Sequence, residues 1–102
     1  EFPGGKIINS ETAEDCIRRE VLEELGISVA PKRFIKQIQH EYTHFSISLC
    51  AYFCDYLDGE PRSIECADWR WIDRKEIYKL PFPKANQKLF GALEKGWDYA
   101  EI

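Results

Sequence analysis

The sequence predicts an α+β domain, and three observations support this class. Residues 10–26 contain no helix breaker between a capping serine, Ser10, and a terminating glycine, Gly26, which predicts a helix. Residues 45–54 alternate in the manner of a strand, and both faces of that strand are fairly apolar, which suits a sheet covered on both sides. The chain has 102 residues, enough for one hydrophobic core, so we expect residues 1–102 to form a single domain.

The remaining elements follow from local composition. Residues 34–42 mix apolar and polar side chains as a strand does, and we expect this strand to pair with residues 45–54. The Asp-Gly and Pro content of residues 57–61 predicts a turn. Residues 69–72 predict a short further strand and residues 74–80 a short helix. Residues 84–95 predict a final helix whose inward side chains are Leu89, Phe90 and Leu93.

Composition and charge exclude several classes of protein. The net charge of −4 and the pI near 5.2 argue against binding of long nucleic acid, which requires a basic face. No apolar run approaches the ~20 residues that a membrane span requires. Four cysteines, at positions 16, 50, 54 and 66, lack the paired spacing of a zinc site, so we expect reduced, mostly buried thiols. We therefore expect a cytoplasmic protein that binds neither long nucleic acid nor membranes.

Three glutamates of the predicted first helix indicate a metal site. Glu20, Glu23 and Glu24 stand at i, i+3 and i+4, so they share a face within roughly a 100° arc. At ~6 Å and an effective dielectric of ~20, each pair of carboxylates repels by about 3 kcal/mol. A hard cation such as magnesium relieves this repulsion and is usually completed by substrate phosphates. The alternative is a solvated acidic face in which Arg19 pairs with Glu23.

These glutamates belong to a longer pattern of fixed spacing. Its members are Gly5, Glu11, Arg19, Glu20, Glu23, Glu24 and Gly26. The order Gly, five residues, Glu, seven residues, then Arg-Glu-apolar-x-Glu-Glu-x-Gly-apolar resembles the Nudix box without a mismatch. The resemblance implies a Nudix fold, a mixed β-sheet sandwiched between helices (α/β/α), and it implies that the first strands of the relatives are missing before Glu1. It also implies a hydrolase in which bound magnesium or manganese activates a water that attacks the phosphorus of a nucleotide.

The resemblance further implies roles for individual residues. By position, the metal ligands are Glu20, Glu23, Glu24 and the backbone carbonyl of Gly4. Glu20 also serves as general base.

Three other positions of the box carry supporting roles by the same resemblance. Arg19 orients Glu20, and Lys6 touches phosphate or the attacking water. Glu11 supports the loop rather than the metal.

One further acid is implied outside the box, and two positions within it depart from related sequences. Glu65 stands where MutT-like members of the family place an extra metal-reaching carboxylate; its alternative is a loop glutamate in water. Related sequences often have Glu and Gly where this chain has Ile8 and Ser10. Neither position defines the motif, so we expect no loss of activity from them.

The substrate is suggested by Asn86. The segment of residues 81–86 resembles the FPxAN segment of MutT-like 8-oxo-dGTP diphosphatases and of MutY C-terminal domains, where the Asn reads oxidised guanine. An amide both donates and accepts, so Asn86 is suited to the exocyclic oxygen and the N7-H of that base. The alternative is that Asn86 only caps a helix. We also expect Phe2 and Phe82 to contact the base, with a place in the core as the alternative for each.

Three functions remain open on this basis. The leading one is magnesium-dependent hydrolysis of 8-oxo-dGTP to 8-oxo-dGMP and pyrophosphate, which would sanitise the nucleotide pool in support of DNA repair. The second is hydrolysis of CTP, dCTP or another nucleoside triphosphate. The third is a non-catalytic module that recognises oxidised guanine within an adenine DNA glycosylase. The complete set of box acids with Arg19, and the acidic charge, argue against the third.

Overall fold

The computed structural model describes residues 1–100, with side chains for residues 1–97. The elements are α1 (Ala13–Leu25), β1 (Ser28–Glu41), β2 (Ser46–Asp58), a 3-10 helix (Glu76–Lys79), α2 (Lys84–Gln87) and α3 (Phe90–Ala100). β1 and β2 form a two-stranded sheet, and the Tyr42 N–H donates to the Phe45 carbonyl across the turn between them at 2.7 Å. The predicted pairing of these two strands is confirmed. None of the helices within residues 1–100 has the length and apolar character needed to cross a membrane.

The first helix begins two residues later than predicted. Its N-cap is Thr12, whose backbone is extended (φ −74°, ψ 163°) and whose Oγ1 accepts from the Asp15 N–H at 3.1 Å. Ser10 has φ +61°, which is left-handed rather than extended, so the predicted cap at Ser10 is wrong. The predicted end of the helix is confirmed. Gly26 adopts φ 72°, and its N–H donates to the Leu22 carbonyl at 2.9 Å.

The strands differ from the prediction in extent and number. β1 begins at Ser28, so Pro31 lies inside it. Within residues 1–100 this strand pairs only with β2, and a proline is tolerated at a sheet edge. The strand predicted at residues 69–72 is wrong, because this segment is irregular. A strand needs a hydrogen-bonded neighbour, and within residues 1–100 β1 and β2 pair only with each other.

The helices after residue 73 are shorter than predicted. The helix predicted at residues 74–80 is the 3-10 turn Glu76–Lys79. The final helix is interrupted between α2 and α3, because the Leu89 N–H donates to the Asn86 carbonyl three residues back at 3.0 Å. The three side chains predicted to face inward, Leu89, Phe90 and Leu93, are all buried, which confirms that part of the prediction.

The chain divides into two compact units. The α1 unit consists of Phe2–Lys32 and Cys54–Trp71, and its buried side chains are Cys16, Val21 and Ile27. The α3 unit consists of Glu1, Arg33–Phe53 and the described residues from Ile72 onward. Its buried side chains are Ile38, Ile77, Ala85, Leu89, Phe90 and Leu93. The single domain expected for residues 1–102 stays a prediction.

The cysteines are less buried than expected. Cys16 is buried, Cys50 and Cys66 are half-buried, and Cys54 is exposed. The expectation of mostly buried thiols is therefore wrong.

Candidate active site

Arg19 is the centre of a hydrogen-bond network on α1. Its Nε and Nη2 donate to the two carboxylate oxygens of Glu11 at 3.1 and 2.6 Å. Its Nη1 donates to Oε1 of Glu20 at 2.8 Å and to Oε2 of Glu23 at 3.2 Å. Nη2 also donates to the backbone carbonyl of Lys6 at 2.9 Å. One guanidinium therefore ties the loop before α1 to two acids on the helix, and the contact required for orienting Glu20 is present.

The charges of this network are unequal. Three carboxylates, those of Glu11, Glu20 and Glu23, accept from one guanidinium, which leaves an excess of negative charge. The hydrogen bond from Arg19, followed by that from the Ile8 N–H at 3.0 Å, lowers the pKa of Glu11 from 4.5 to about 2. The hydrogen bonds that Arg19 donates to Glu11 and, second, to Glu20 raise the pKa of Arg19. Glu11 is thus a fixed anion that holds the loop, as the sequence suggested for it.

The Glu20 carboxylate lies directly against Gly5. A Cβ atom at position 5 would be 2.6 Å from Oε1 of Glu20 and still closer to the carboxyl carbon and Oε2. A side chain at position 5 would therefore displace the Glu20 carboxylate, so this placement of the carboxylate depends on glycine. Gly4 and Lys6 flank Gly5 on this loop, and the side chain of Lys6 is exposed.

Cys16 is a member of this site that the sequence analysis did not identify. Its buried thiol donates to the Gly5 carbonyl at 3.4 Å and accepts from Nη2 of Arg19 at 3.8 Å. Cys16 precedes Arg19 and Glu20 by three and four residues, so it lies on the same face of α1. That spacing was the available signal in the sequence.

The loop that carries Glu65 contacts the last turn of α1. The N–H groups of Ile64 and Glu65 donate to the backbone carbonyl of Glu24 at 3.0 and 3.2 Å. The structure therefore brings the Glu65 backbone to Glu24, while the Glu65 side chain is exposed.

The oxygen atoms of the site are of the chemical type that a hard divalent cation prefers as ligands. Carboxylate and carbonyl oxygens are the ligands that Mg²⁺ prefers, and the Glu20 carboxylate occupies a space that only glycine leaves open. Within residues 1–97, however, no group of three or more His, Cys, Asp or Glu side chains is arranged to hold a metal ion. Glu20 and Glu23 instead share Nη1 of Arg19. The ligand roles of Gly4, Glu20, Glu23, Glu24 and Glu65 stay predictions.

The residues expected to bind the base are divided between the two units. Phe2 is half-buried in the α1 unit, whereas Phe82 and Asn86 belong to the α3 unit. Asn86 is the third residue of α2, whose N-cap is Pro83 without a side-chain cap hydrogen bond, so Asn86 is not the N-cap of α2. The ring of Phe82 packs edge-on against Phe90 with centroids 5.2 Å apart. The binding roles of Phe2, Phe82 and Asn86 stay predictions.

Comparison with known proteins gives consistent matches over most of the chain. The NUDIX domain profile matches residues 1–92. The chain is 36% identical over 95 residues to an 8-oxo-dGTP diphosphatase of Buchnera aphidicola subsp. Acyrthosiphon pisum, which covers 93% of this chain and 77% of that protein. It is 36% identical over 93 residues to the protein of the same name from Haemophilus influenzae, covering 91% and 68% of the two chains. The identity to the Escherichia coli 8-oxo-dGTP diphosphatase is 30% over 95 residues, covering 93% and 74%.

Solved structures give the same likeness in three dimensions. The solution structure of the E. coli ORF135 protein superposes with a TM-score of 0.79 at 27% identity, covering 93% of this chain and 68% of that one. The crystal structure of the MutT protein from Methanosarcina mazei Go1 gives 0.80 at 24% identity, covering 93% and 70%. The second likeness bears on the fold alone.

Proposed function

The chain belongs to the NUDIX domain family and is a Nudix hydrolase, and from this premise we propose that it is a magnesium-dependent nucleoside triphosphate pyrophosphohydrolase. This membership confirms the α+β Nudix fold class and the enzyme class expected from the sequence. The proposed substrate is 8-oxo-dGTP, hydrolysed to 8-oxo-dGMP and pyrophosphate. The observation that carries the proposed chemistry is the Glu20 carboxylate, held between Arg19 and Gly5. The substrate is proposed because relatives 30% and 36% identical bear the name 8-oxo-dGTP diphosphatase.

The chain's own residues would perform the reaction as follows. A water oxygen forms a bond to a phosphorus of the triphosphate, the bond from that phosphorus to a bridging oxygen breaks, and the water loses a proton. Glu20 accepts this proton, because Arg19 holds its Oε1 and fixes the carboxylate. The side chain of Lys6 is exposed on the loop before α1 and would position the phosphates by its charge.

A divalent cation, Mg²⁺ or Mn²⁺, bound by Glu20, Glu23, Glu24, Glu65 and the Gly4 carbonyl would neutralise phosphate charge and lower the pKa of a bound water. The sharing of the Arg19 guanidinium by three carboxylates supports this assignment, because a divalent cation would offset negative charge that one guanidinium does not neutralise.

Asn86 would select the oxidised base. Its amide can accept from the N7-H of 8-oxoguanine and donate to the exocyclic oxygen, whereas normal guanine has no hydrogen on N7. The position of Asn86 inside α2, rather than at its N-cap, supports this role because the helix does not require the residue as a cap. Phe2 and Phe82 would contact the faces or edges of the base.

A panel of nucleoside triphosphates assayed with Mg²⁺ tests the substrate. We expect the highest kcat/KM for 8-oxo-dGTP, and faster turnover of dCTP or dATP would overturn the assignment. Replacing Asn86 by Ala should reduce the discrimination between 8-oxo-dGTP and dGTP by about 1–3 kcal/mol, or roughly 5- to 150-fold. Lys84→Ala, an exposed position on the same short helix, is the matched control and should leave the ratio unchanged. Equal losses on every substrate after Asn86→Ala would contradict the role in base recognition.

A further inference from the structure

We propose that residues 62–66 form a strap that positions Glu65 beside the acidic last turn of α1, with Ile64 as its main positioning residue. This inference rests on the proposed function, in which Glu65 helps to hold the divalent cation. The strap itself is a set of contacts within the α1 unit, and it involves no residue of the Nudix box except through the end of the helix.

The strap is fixed to the end of α1 by backbone hydrogen bonds. The Arg62 N–H donates to the Leu25 carbonyl at 2.9 Å. The Ile64 N–H is shared between the carbonyls of Glu24 and Arg62, both at 3.0 Å, and the Glu65 N–H donates to Glu24 at 3.2 Å. Carbonyls in the last turn of a helix have no partner within it, so an outside donor is stabilising there. The Glu65 backbone is therefore held at the turn that carries Glu24.

Side chains of the strap cover the glycine that ends the helix. A Cβ atom on Gly26 would be 3.0 Å from Cδ1 of Ile64 and 3.3 Å from Nη2 of Arg62. The absence of a side chain at Gly26 lets both groups approach the helix end. The guanidinium of Arg62 also lies at the negative end of the helix dipole, which is a favourable position for a cation. The thiol of Cys66 adds a weak contact, 3.8 Å from the Glu24 carbonyl.

Charges of both signs lie near the backbone of Glu65, including the guanidinium of Arg62 at the helix end. The C-terminal end of a helix carries partial negative charge, and Glu23 and Glu24 add to it. Glu65 is nevertheless held there by its own N–H and by that of its neighbour. An acid fixed beside other carboxylates is stabilised once a cation binds among them. The strap thus fixes the Glu65 backbone at this turn, and the role of Ile64 is to position Glu65 rather than to touch substrate.

Amide hydrogen exchange on the metal-free protein tests the strap directly. We expect the amides of Ile64 and Glu65 to exchange at least about tenfold more slowly than that of Ser63, since hydrogen-bonded amides must open before they exchange. Ser63 lies between the bonded positions and makes no hydrogen bond among the described residues, so it is the internal reference. Exchange of all three amides at one rate would overturn the proposal. This readout needs no variant and no activity.

A double-mutant cycle tests the link to Glu65. Ile64→Pro removes the shared N–H donor, and Ser63→Ala is the matched control with no bond to lose. We expect Ile64→Pro to weaken Mg²⁺ binding, measured by calorimetry, by about tenfold or more, as supporting residues of metal sites do. Glu65→Gln should have a similar effect. The Mg²⁺ affinity of the double variant should equal that of the single variant with the lower affinity. Full additivity of the two effects would overturn the positioning role.

The experiments give one result if the strap proposal is wrong and a different result if the proposed function is wrong. If the unsubstituted protein hydrolyses no nucleoside triphosphate with Mg²⁺, while Ile64 and Glu65 stay protected and Mg²⁺ binding depends on both, the strap is supported and the proposed function fails. If the protein is an active hydrolase whose Mg²⁺ binding ignores Glu65→Gln, the function is supported and the positioning role fails.

Discussion

The carboxylate of Glu20 occupies the space in which a side chain on Gly5 would begin. A Cβ atom at position 5 would be 2.6 Å from Oε1 of Glu20, well inside the contact limit. The carbonyl of the same glycine accepts from the thiol of Cys16, and Nη1 of Arg19 donates to Oε1 of the Glu20 carboxylate. The position of the proposed base, Glu20, therefore depends on the absence of a side chain at Gly5, on the loop before α1.

Gly5→Ala should lower kcat strongly and change the free energy of unfolding only slightly. The added methyl group displaces the Glu20 carboxylate or the loop, and a displacement of about 1 Å at a reacting group costs on the order of 100-fold in rate. Gly91→Ala is the matched control, because a Cβ atom there meets no atom within 4 Å and the residue lies in α3. It should keep kcat and raise the free energy of unfolding by up to about 1 kcal/mol. Steady-state kinetics and thermal melts measure both, and an unchanged kcat in Gly5→Ala would contradict this account.

The hydrogen bond between Glu11 and Arg19 should make stability depend on pH in the acid range. The pKa of Glu11 is lowered from 4.5 to about 2 in the fold, so its ionised form is favoured by folding. The stabilisation is complete above 4.5 and is lost as the pH falls through about 2. Glu11→Gln should therefore lower the Tm near neutral pH, and the gap to the unsubstituted protein should close across this range. A gap of constant size at every pH would show that Glu11 stabilises the loop without its charge.

Ser10→Gly should stabilise the loop before α1. Ser10 has φ +61°, and a residue with a Cβ atom pays about 1–2 kcal/mol in this region, of which the greater freedom of glycine in the unfolded chain cancels about 0.4–1. A net gain of up to about 1.5 kcal/mol in the free energy of unfolding is expected, with activity retained. Asn9→Gly, at φ +50°, is the comparison and should gain less, because Asn tolerates left-handed backbone. Denaturant titration measures both, and a loss of stability in Ser10→Gly would be the contrary result.

Local patterns predicted α1 and its acidic face well. The absence of a helix breaker, the glycine at position 26 and, as an alternative to the metal site, the pairing of Arg19 with Glu23 could all be deduced from residues within one helix. The N-cap could not be placed correctly, because both Ser10 and Thr12 are good capping types and the choice depends on backbone angles. Because Ser10 has a left-handed backbone conformation, the N-cap of α1 is Thr12.

Contacts between residues that are far apart along the chain could not be predicted from local sequence patterns. The thiol of Cys16 meets a carbonyl 11 positions away, and the N–H of Glu65 meets one that is about 40 positions away. No periodicity reports such contacts, because they depend on the path of the chain. The incorrect strand at residues 69–72 has the same origin, since Trp69 and Trp71 have strand propensity but no strand pairs with them among residues 1–100.

The most direct test of the hydrolytic centre is the steady-state kinetics of Glu20→Gln with 8-oxo-dGTP and Mg²⁺. The account predicts a fall in kcat of about 10²- to 10⁴-fold, because a general base acts mainly in the transition state, with little change in nucleotide binding. Glu14→Gln, an acid in the first turn of the same helix, is the control and should keep the unsubstituted kcat. A Glu20→Gln protein that turns over 8-oxo-dGTP as fast as the unsubstituted protein would contradict the account.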